Sequence, residues 1–406
     1  MKKIYLDNAA TTKVDPMVFM AMKPYFLKKY GNASEFHFLG REAKTAIEEA
    51  RGRIALFLGA KPGEIFFTGS ATESINLSHK GLIEALRPIL SGSTLLTVER
   101  FAQGKLPHII TSQIEHKAVL ETCKHLGKLG LAEATYLPVD RYGVVDIQEV
   151  KKAICPETAL ISLMSVNNEV GTIEPIKEVG LLVKKVNNSG HRKIFFHTDA
   201  TQAIQYLDCN VDRLGVDFLS LTGHKIYAPK GIGVLFVRSG TPLIRQLDGG
   251  GQESGLRAST ENIPYIVGIA QAINLIAKAT KSETVRINKL RDKLTSEVLK
   301  IPGVKLTGHV SNRIPHIASF IVDGVEGEAM VLALSDLGIC VSSGSACTAS
   351  DLSPSHVLTA MGIPPEKSHG SIRFSLGRDS KNEDIDMVID KLPKVIKRLR
   401  KMAPKL

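Results

Sequence analysis

Apolar positions along the chain follow two alternating periods. Ala43, Ile47, Ala50, Ile54 and Leu58 recur at spacings of three and four, which predicts an amphipathic helix halted by Gly59. The next apolar run, Ile65-Phe66-Phe67-Thr68, is short and meets Gly69-Ser70 before a helix-like segment from Ala71, so it reads as strand, glycine turn and helix N-terminus. Brief apolar runs at 160–166, 194–196, 218–221 and 233–237 are separated by helical or turn segments. This alternation predicts an α/β fold around a largely parallel sheet. From about Asn262 the helical stretches lengthen, residues 283–300 among them, and a strand-like 317–322 opens a second, α+β portion. Residues 91–107 lack periodicity and read as an exposed excursion.

The length of 406 residues fits this division, since a single core stops growing near roughly 250–300 residues. With 43% hydrophobic against 23% charged residues there is material for sizeable cores, which excludes a generally disordered chain. The net charge of +11 raises the idea of a polyanionic partner, yet only 391–405 forms a dense basic run. Leu392, Val395, Ile396 and Leu399 interleave it, as in an amphipathic helix with a solvated basic face. The N-terminus reaches Asp7 before any signal-like apolar stretch develops, and the most apolar window, 266–277, carries Gln271 and Asn274. Neither a cleaved signal nor a membrane span is expected. Five cysteines (123, 155, 209, 340 and 347) form no C-x-x-C pair, which argues against a disulfide framework or zinc site and for a reducing cytoplasm.

Several segments carry chemistry. The run 194–199 delivers Asp199 to the C-terminal end of a strand, where open α/β sheets bind ligands. A helix cap and a partner for a protonated ring nitrogen both fit it. Lys225, in Gly223-His224-Lys225, follows a strand inside a Gly/Pro-rich turn. Flanking apolar strands argue for burial there, and burial beside other cations is what a Schiff-base lysine needs. Thr68 to Ser74 has the small residues and helix start of an anion site, though glycine turns before helices are common. Cys347 lies among small residues, where no bulky neighbour shields it, whereas Cys340 between Ile339 and Val341 suits a buried small hydrophobe. In Ser371-Ile372-Arg373-Phe374-Ser375 the alternation puts Arg373 on one strand face with both serines, where its guanidinium could take a carboxylate bidentately.

Taken in order, these segments resemble the pyridoxal-phosphate-dependent cysteine desulfurases of the class V aminotransferase superfamily. The matching residues are Tyr5 to Thr12, Ser70 to Ser74, Glu115-His116-Lys117, Val166 to Gly171, His197 to Gln202, Gly223-His224-Lys225, Ser342 to Thr348 and Ser371 to Arg378. The resemblance implies a fold type I transferase with a seven-stranded, mostly parallel sheet in a large domain (13–261), and a small α+β domain (1–12 with 262–406) bearing the cysteine loop. It implies that Lys225 holds pyridoxal 5'-phosphate covalently, that Asp199 pairs with the pyridinium nitrogen, that Gln202 faces the phenolic oxygen and that His116 stacks on the ring and assists proton transfer. Ala71, Thr72, Thr222, Gly223, His224 and a Thr260 from the neighbouring subunit would hold the phosphate, and Asn168 and Arg373 the carboxylate of L-cysteine. Alanine would leave and Cys347 would carry the sulfur as a persulfide to an acceptor such as an iron–sulfur scaffold, with which it could transiently share a cluster, or a tRNA-thiolation enzyme. A homodimeric, cytoplasmic sulfurtransferase with no resident metal follows, with neither nucleic acid nor membrane as partner.

Three departures stand out: Gly69-Ser70 reverses the usual Ser-Gly order, Ala258-Ser259-Thr260 replaces Ser-Gly-Thr, and 86–107 is longer than the family region. An aminotransferase or selenocysteine lyase on the same scaffold, which would not need Cys347, and a nucleic-acid-binding protein are the competing readings.

Overall fold

The computed structural model describes residues 3–87, 105–190, 192–343 and 354–402. After β1 (Ile4–Tyr5) come the strands of the central sheet: β2 (Ile65–Thr68), β3 (His108–Ser112), β4 (Glu133–Leu137), β5 (Thr158–Met164), β6 (Phe195–Asp199), β7 (Phe218–Thr222) and β8 (Gly233–Val237). They lie in the order β2-β8-β7-β6-β5-β3-β4. Every pairing is parallel except the two made by β8. The expected mostly parallel, seven-stranded sheet is therefore present. β3 and β4 carry His108, Thr111, Ser112, Glu133 and Thr135, and this polarity hid them from the apolar pattern.

Neighbouring residues of one strand enter different cores, as the two-residue period of a strand requires. Ile65, Phe67, Ile161, Phe196, Leu219 and Phe236 pack with helices Phe38–Leu58 and Ile176–Asn187. Phe66, Leu160, Phe195, Phe218 and Leu235 face helices Ala71–Leu86 and Lys117–Lys128. Both sheet faces are thus covered, which explains the unbroken apolar runs. Helix Phe38–Leu58 buries the five positions its period picked out and ends at Gly59, whose φ of 68° is left-handed.

A second core gathers around β10 (Ile317–Val322), which pairs antiparallel with β9 (Val304–Leu306) and β12 (Ser371–Ser375). β1 joins β11 (Ile339–Cys340) in parallel, bringing Ile4 and Leu6 into that core. One 36-residue helix, Ile263–Val298, serves both: Ile266, Ile269 and Ile273 pack in the large core, Ile287, Leu290 and Leu294 in the small one. By length and composition it could cross a membrane; here its buried apolar residues belong to the two cores, while Val285 is exposed. The basic C-terminal run continues helix Asn382–Met402, which buries Leu392, Val395 and Ile396 as its amphipathic pattern requires.

Cys340 corrects the sequence reading. It is exposed, while Ile339 and Val341 on either side are buried. Strand alternation turns the middle residue of the three to the opposite face, so apolar neighbours argue for exposure there. Most of the 86–107 excursion, at 88–104, lies outside the described residues, as does Cys347.

Candidate active site

β5, β6 and β7 run parallel, so their C-terminal ends share one edge of the sheet. There the chain builds a cavity of about 480 Å³. Its lining includes Ala71, Thr72, His116, Asn168, Asp199, Gln202, Thr222, His224, Lys225 and Arg373, drawn from segments far apart in the chain. Thr260 is exposed and Gly223 buried, and neither lines this cavity.

Lys225 closes a 3-10 turn, Gly223–Lys225, directly after β7. Its Nζ donates to the carbonyls of Ala9 at 2.7 Å and Ala10 at 2.6 Å. The N-terminal segment is held there by its backbone, since Thr12 N donates to the His224 carbonyl at 2.8 Å and Asn8 N to that of Ser375. Burial, with Lys225 and Lys230 nearby, pushes the His224 imidazole down to about 4, so it is neutral at physiological pH.

Asp199 is 7% exposed at the end of β6. Its Oδ1 accepts from Thr201 N at 2.9 Å, but residues 201–206 form turns, so the expected helix cap is instead the cap of a turn, and Asp199 also lines the cavity. At one wall, Ser70 caps helix Ala71–Leu86 by accepting from Glu73 N at 3.1 Å, and Gly69 N donates to Glu73 at 2.7 Å. The reversed Gly-Ser order thus forms a working cap, leaving the first-turn amides of Ala71 and Thr72 directed out of the helix at the cavity. Gly233 lets β8 pass close by, because a Cβ there would stand 2.4 Å from the Ser70 carbonyl carbon. His116 caps helix Lys117–Lys128, its Nδ1 accepting from Ala118 N at 3.1 Å.

Arg373, on β12, is 4% exposed. Its Nη2 pairs with Asp7 Oδ1 at 3.0 Å and Nη1 donates to the Asn168 carbonyl at 2.8 Å, while Nε is buried with no partner among the described residues. The guanidinium therefore couples the N-terminal segment, the loop after β5 and the small core. Ser342 exchanges two backbone hydrogen bonds with Arg373. Beyond residues 344–353 the described chain resumes at Pro354, Ser355 and His356, all in the cavity wall. Ser355 Oγ donates to Glu169 Oε2 at 2.5 Å, and His356 Nε2 lies 3.0 Å from the Glu115 carbonyl oxygen.

Sequence reasoning missed Ala9, Ala10, Glu169, Ser355 and His356 as wall residues. Their contacts join positions 186 to 241 residues apart, or use main-chain oxygens that no side-chain pattern reveals.

A family model, aminotransferase class-V, matches residues 4–388. The cysteine desulfurase IscS of Dictyoglomus turgidum is 47% identical over 404 residues, 99% of this chain and 97% of that one. The chain belongs to the class-V aminotransferase family. Among its solved members, a NifS-like protein superposes with a TM-score of 0.88 at 36% identity, covering 98% of this chain and 100% of the other. A structure described as SspA in complex with cysteine gives 0.77 at 36% identity over 92% and 99%. The family places the chain among the cysteine desulfurases, and its cofactor is pyridoxal 5'-phosphate. The cavity fits that group: helix-start amides with Thr222 and His224 suit a phosphate, the buried carboxylate of Asp199 suits a protonated ring nitrogen, and Lys225 supplies the amine.

Three buried carboxyls set the pH response of this region. Burial pushes Glu115 up to about 8, Glu169 to about 7 and Glu174 to about 8. Stability from a raised carboxyl is full below its unfolded value of 4.5 and is lost as pH rises through the folded value. Buried histidines act oppositely: His79 and His224, both lowered to about 4, add stability as pH rises toward their unfolded 6.5. Above 6.5 only the carboxyls act, so the urea midpoint is expected to fall between about pH 6.5 and 8. Glu174→Gln, at a residue that does not itself line the cavity, should flatten that fall; an equally steep fall in the variant would remove Glu174 from the account.

Proposed function

We propose that the chain moves the sulfur of L-cysteine onto Cys347 as a persulfide, releases L-alanine, and passes the sulfur to an acceptor protein for iron–sulfur cluster assembly or tRNA thiolation. The observation that carries this reading is the convergence of an amine, a carboxylate and a guanidinium, those of Lys225, Asp199 and Arg373, on one cavity. Ser342 is paired with Arg373, and Pro354, Ser355 and His356 line the cavity wall.

Bound at Lys225, pyridoxal phosphate supplies an electron sink for the bonds at the substrate α-carbon. Asp199 would balance a positive ring nitrogen, and Gln202 would hold the phenolic oxygen. Arg373 and Asn168 hold the substrate carboxylate, for which the Nε of Arg373, without a partner among the described residues, is a ready donor. Lys225 carries protons at the substrate carbons. His116 accepts the helix-cap hydrogen bond at Nδ1, so its neutral ring carries its hydrogen on Nε2 and would assist proton transfer from there as a donor. Cys347, as thiolate, attacks the substrate sulfur; the sulfur–sulfur bond forms as the carbon–sulfur bond breaks, and the carbon takes up a proton to give alanine.

The working unit is a homodimer in which Thr260 completes the partner's phosphate site. The four described cysteines are free thiols, in keeping with a cytoplasmic setting. Cys347→Ser tests the reaction against a transaminase or lyase that does not need the thiol. Alanine formation from cysteine should fall by more than ~10³-fold while cofactor absorbance is retained. Unchanged alanine formation would refute the persulfide step.

A further inference from the structure

A polar chain behind the cavity wall ends at a residue, His316, that has no part in the reaction scheme above. Gln202 Nε2 donates to the Ala9 carbonyl at 3.0 Å, the same oxygen that accepts from Lys225 Nζ at 2.7 Å. On its other side, Gln202 Oε1 lies 3.2 Å from His316 Nε2. Hydrogen-bonding chemistry sets each direction in turn. A carbonyl only accepts, so the amide meets Ala9 through its nitrogen. The amide oxygen then faces His316, and because that oxygen also only accepts, the hydrogen must sit on His316 Nε2.

The surroundings of His316 suit this role. The residue precedes β10, is 5% exposed, and stacks on Tyr206 with ring centroids 4.9 Å apart and planes 22° apart. Its Nδ1 is buried with no partner among the described residues, which is where the tautomer deduced above leaves a lone pair. Burial, with Arg373, Arg291 and Lys225 facing the ring, pushes it down to about 3, so it stays neutral. His316 belongs to the segment leading into the small core, whereas Gln202 follows β6 of the central sheet.

We propose that His316 is a positioning residue whose Nε2–H locks the Gln202 amide with its nitrogen toward Ala9 and the cavity. The second hydrogen of that nitrogen is then available to an anionic oxygen of the bound cofactor. This rests on the reading of Gln202 as the partner of the phenolic oxygen. With both amide ends engaged, the plane of the group is held at two points; with Ala9 alone it pivots about one bond.

The test uses the cofactor-loaded protein and follows its visible absorbance across pH. His316→Phe keeps a ring against Tyr206 and removes the donor; His316→Leu also lacks the donor and serves if the first variant does not fold. Losing a donor to an anion should raise the midpoint of the absorbance titration by about one unit. Gln202→Ala should give the same rise, the double variant no more than either, and His316→Asn, which restores an N–H, an intermediate midpoint. An unmoved midpoint in His316→Phe beside a shifted Gln202→Ala overturns the proposal, as does an additive double variant. A Gln202→Ala midpoint equal to wild type overturns the Gln202 reading and this inference together. Loss of cofactor absorbance from the wild-type protein would instead strike the functional assignment itself.

Discussion

Lys225→Ala is expected to lower alanine formation from cysteine by at least about 10⁴-fold, because one side chain both anchors the cofactor and carries protons in the reaction. The loss should appear in kcat, since the groups assigned to the substrate carboxylate remain. The fold should survive. Nζ is held by the Ala9 and Ala10 carbonyls, but those oxygens border an open cavity where water can replace the amine, and the backbone bond from Thr12 to His224 is untouched. Borohydride reduction followed by peptide mapping gives a direct check: the wild-type protein should carry its label on the peptide containing Lys225, and the variant none. A label of equal yield on another lysine would displace Lys225 from its role.

Arg373→Leu should act on binding and on stability together. Charge-assisted hydrogen bonds contribute about 1.5–3 kcal/mol each, so losing a carboxylate partner should raise KM for cysteine by about 10²-fold or more. The same change strands Asp7, whose side chain is 21% exposed and paired with a guanidinium that is 4% exposed. Breaking such a pair costs about 3 kcal/mol, at the low end for buried pairs because Asp7 keeps some solvent. Arg373→Lys keeps the charge without the fork that reaches Asp7, Asn168 and the substrate at once, so it should recover part of the stability and little of the KM. Steady-state kinetics with urea unfolding separates the two effects. An unchanged KM in Arg373→Leu would remove Arg373 from substrate binding and leave it as a tie between segments.

The variants also mark how far the sequence could be read. Lys225, Asp199 and the start of helix Ala71–Leu86 were legible because each follows a short apolar strand, and a parallel sheet delivers all such ends to one edge. Arg373 was legible as a residue of a strand, but not as the partner of Asp7, 366 residues away. Cys340 was misread because its neighbours' burial was extended to it, when a strand assigns alternate residues to opposite faces. His316 carries no local signal at all: its role appears only when the strand it precedes is laid beside Gln202.

Alternating periods along this chain determined the α/β class, the position of most central strands and the order of the motifs, because periodicity and turn chemistry act between residues a few positions apart. Tertiary structure decided which carbonyls receive Lys225, which carboxylate engages Arg373, and which histidine orients Gln202. Those contacts link positions 114 to 366 residues apart, where only the packing of the two cores sets the distance.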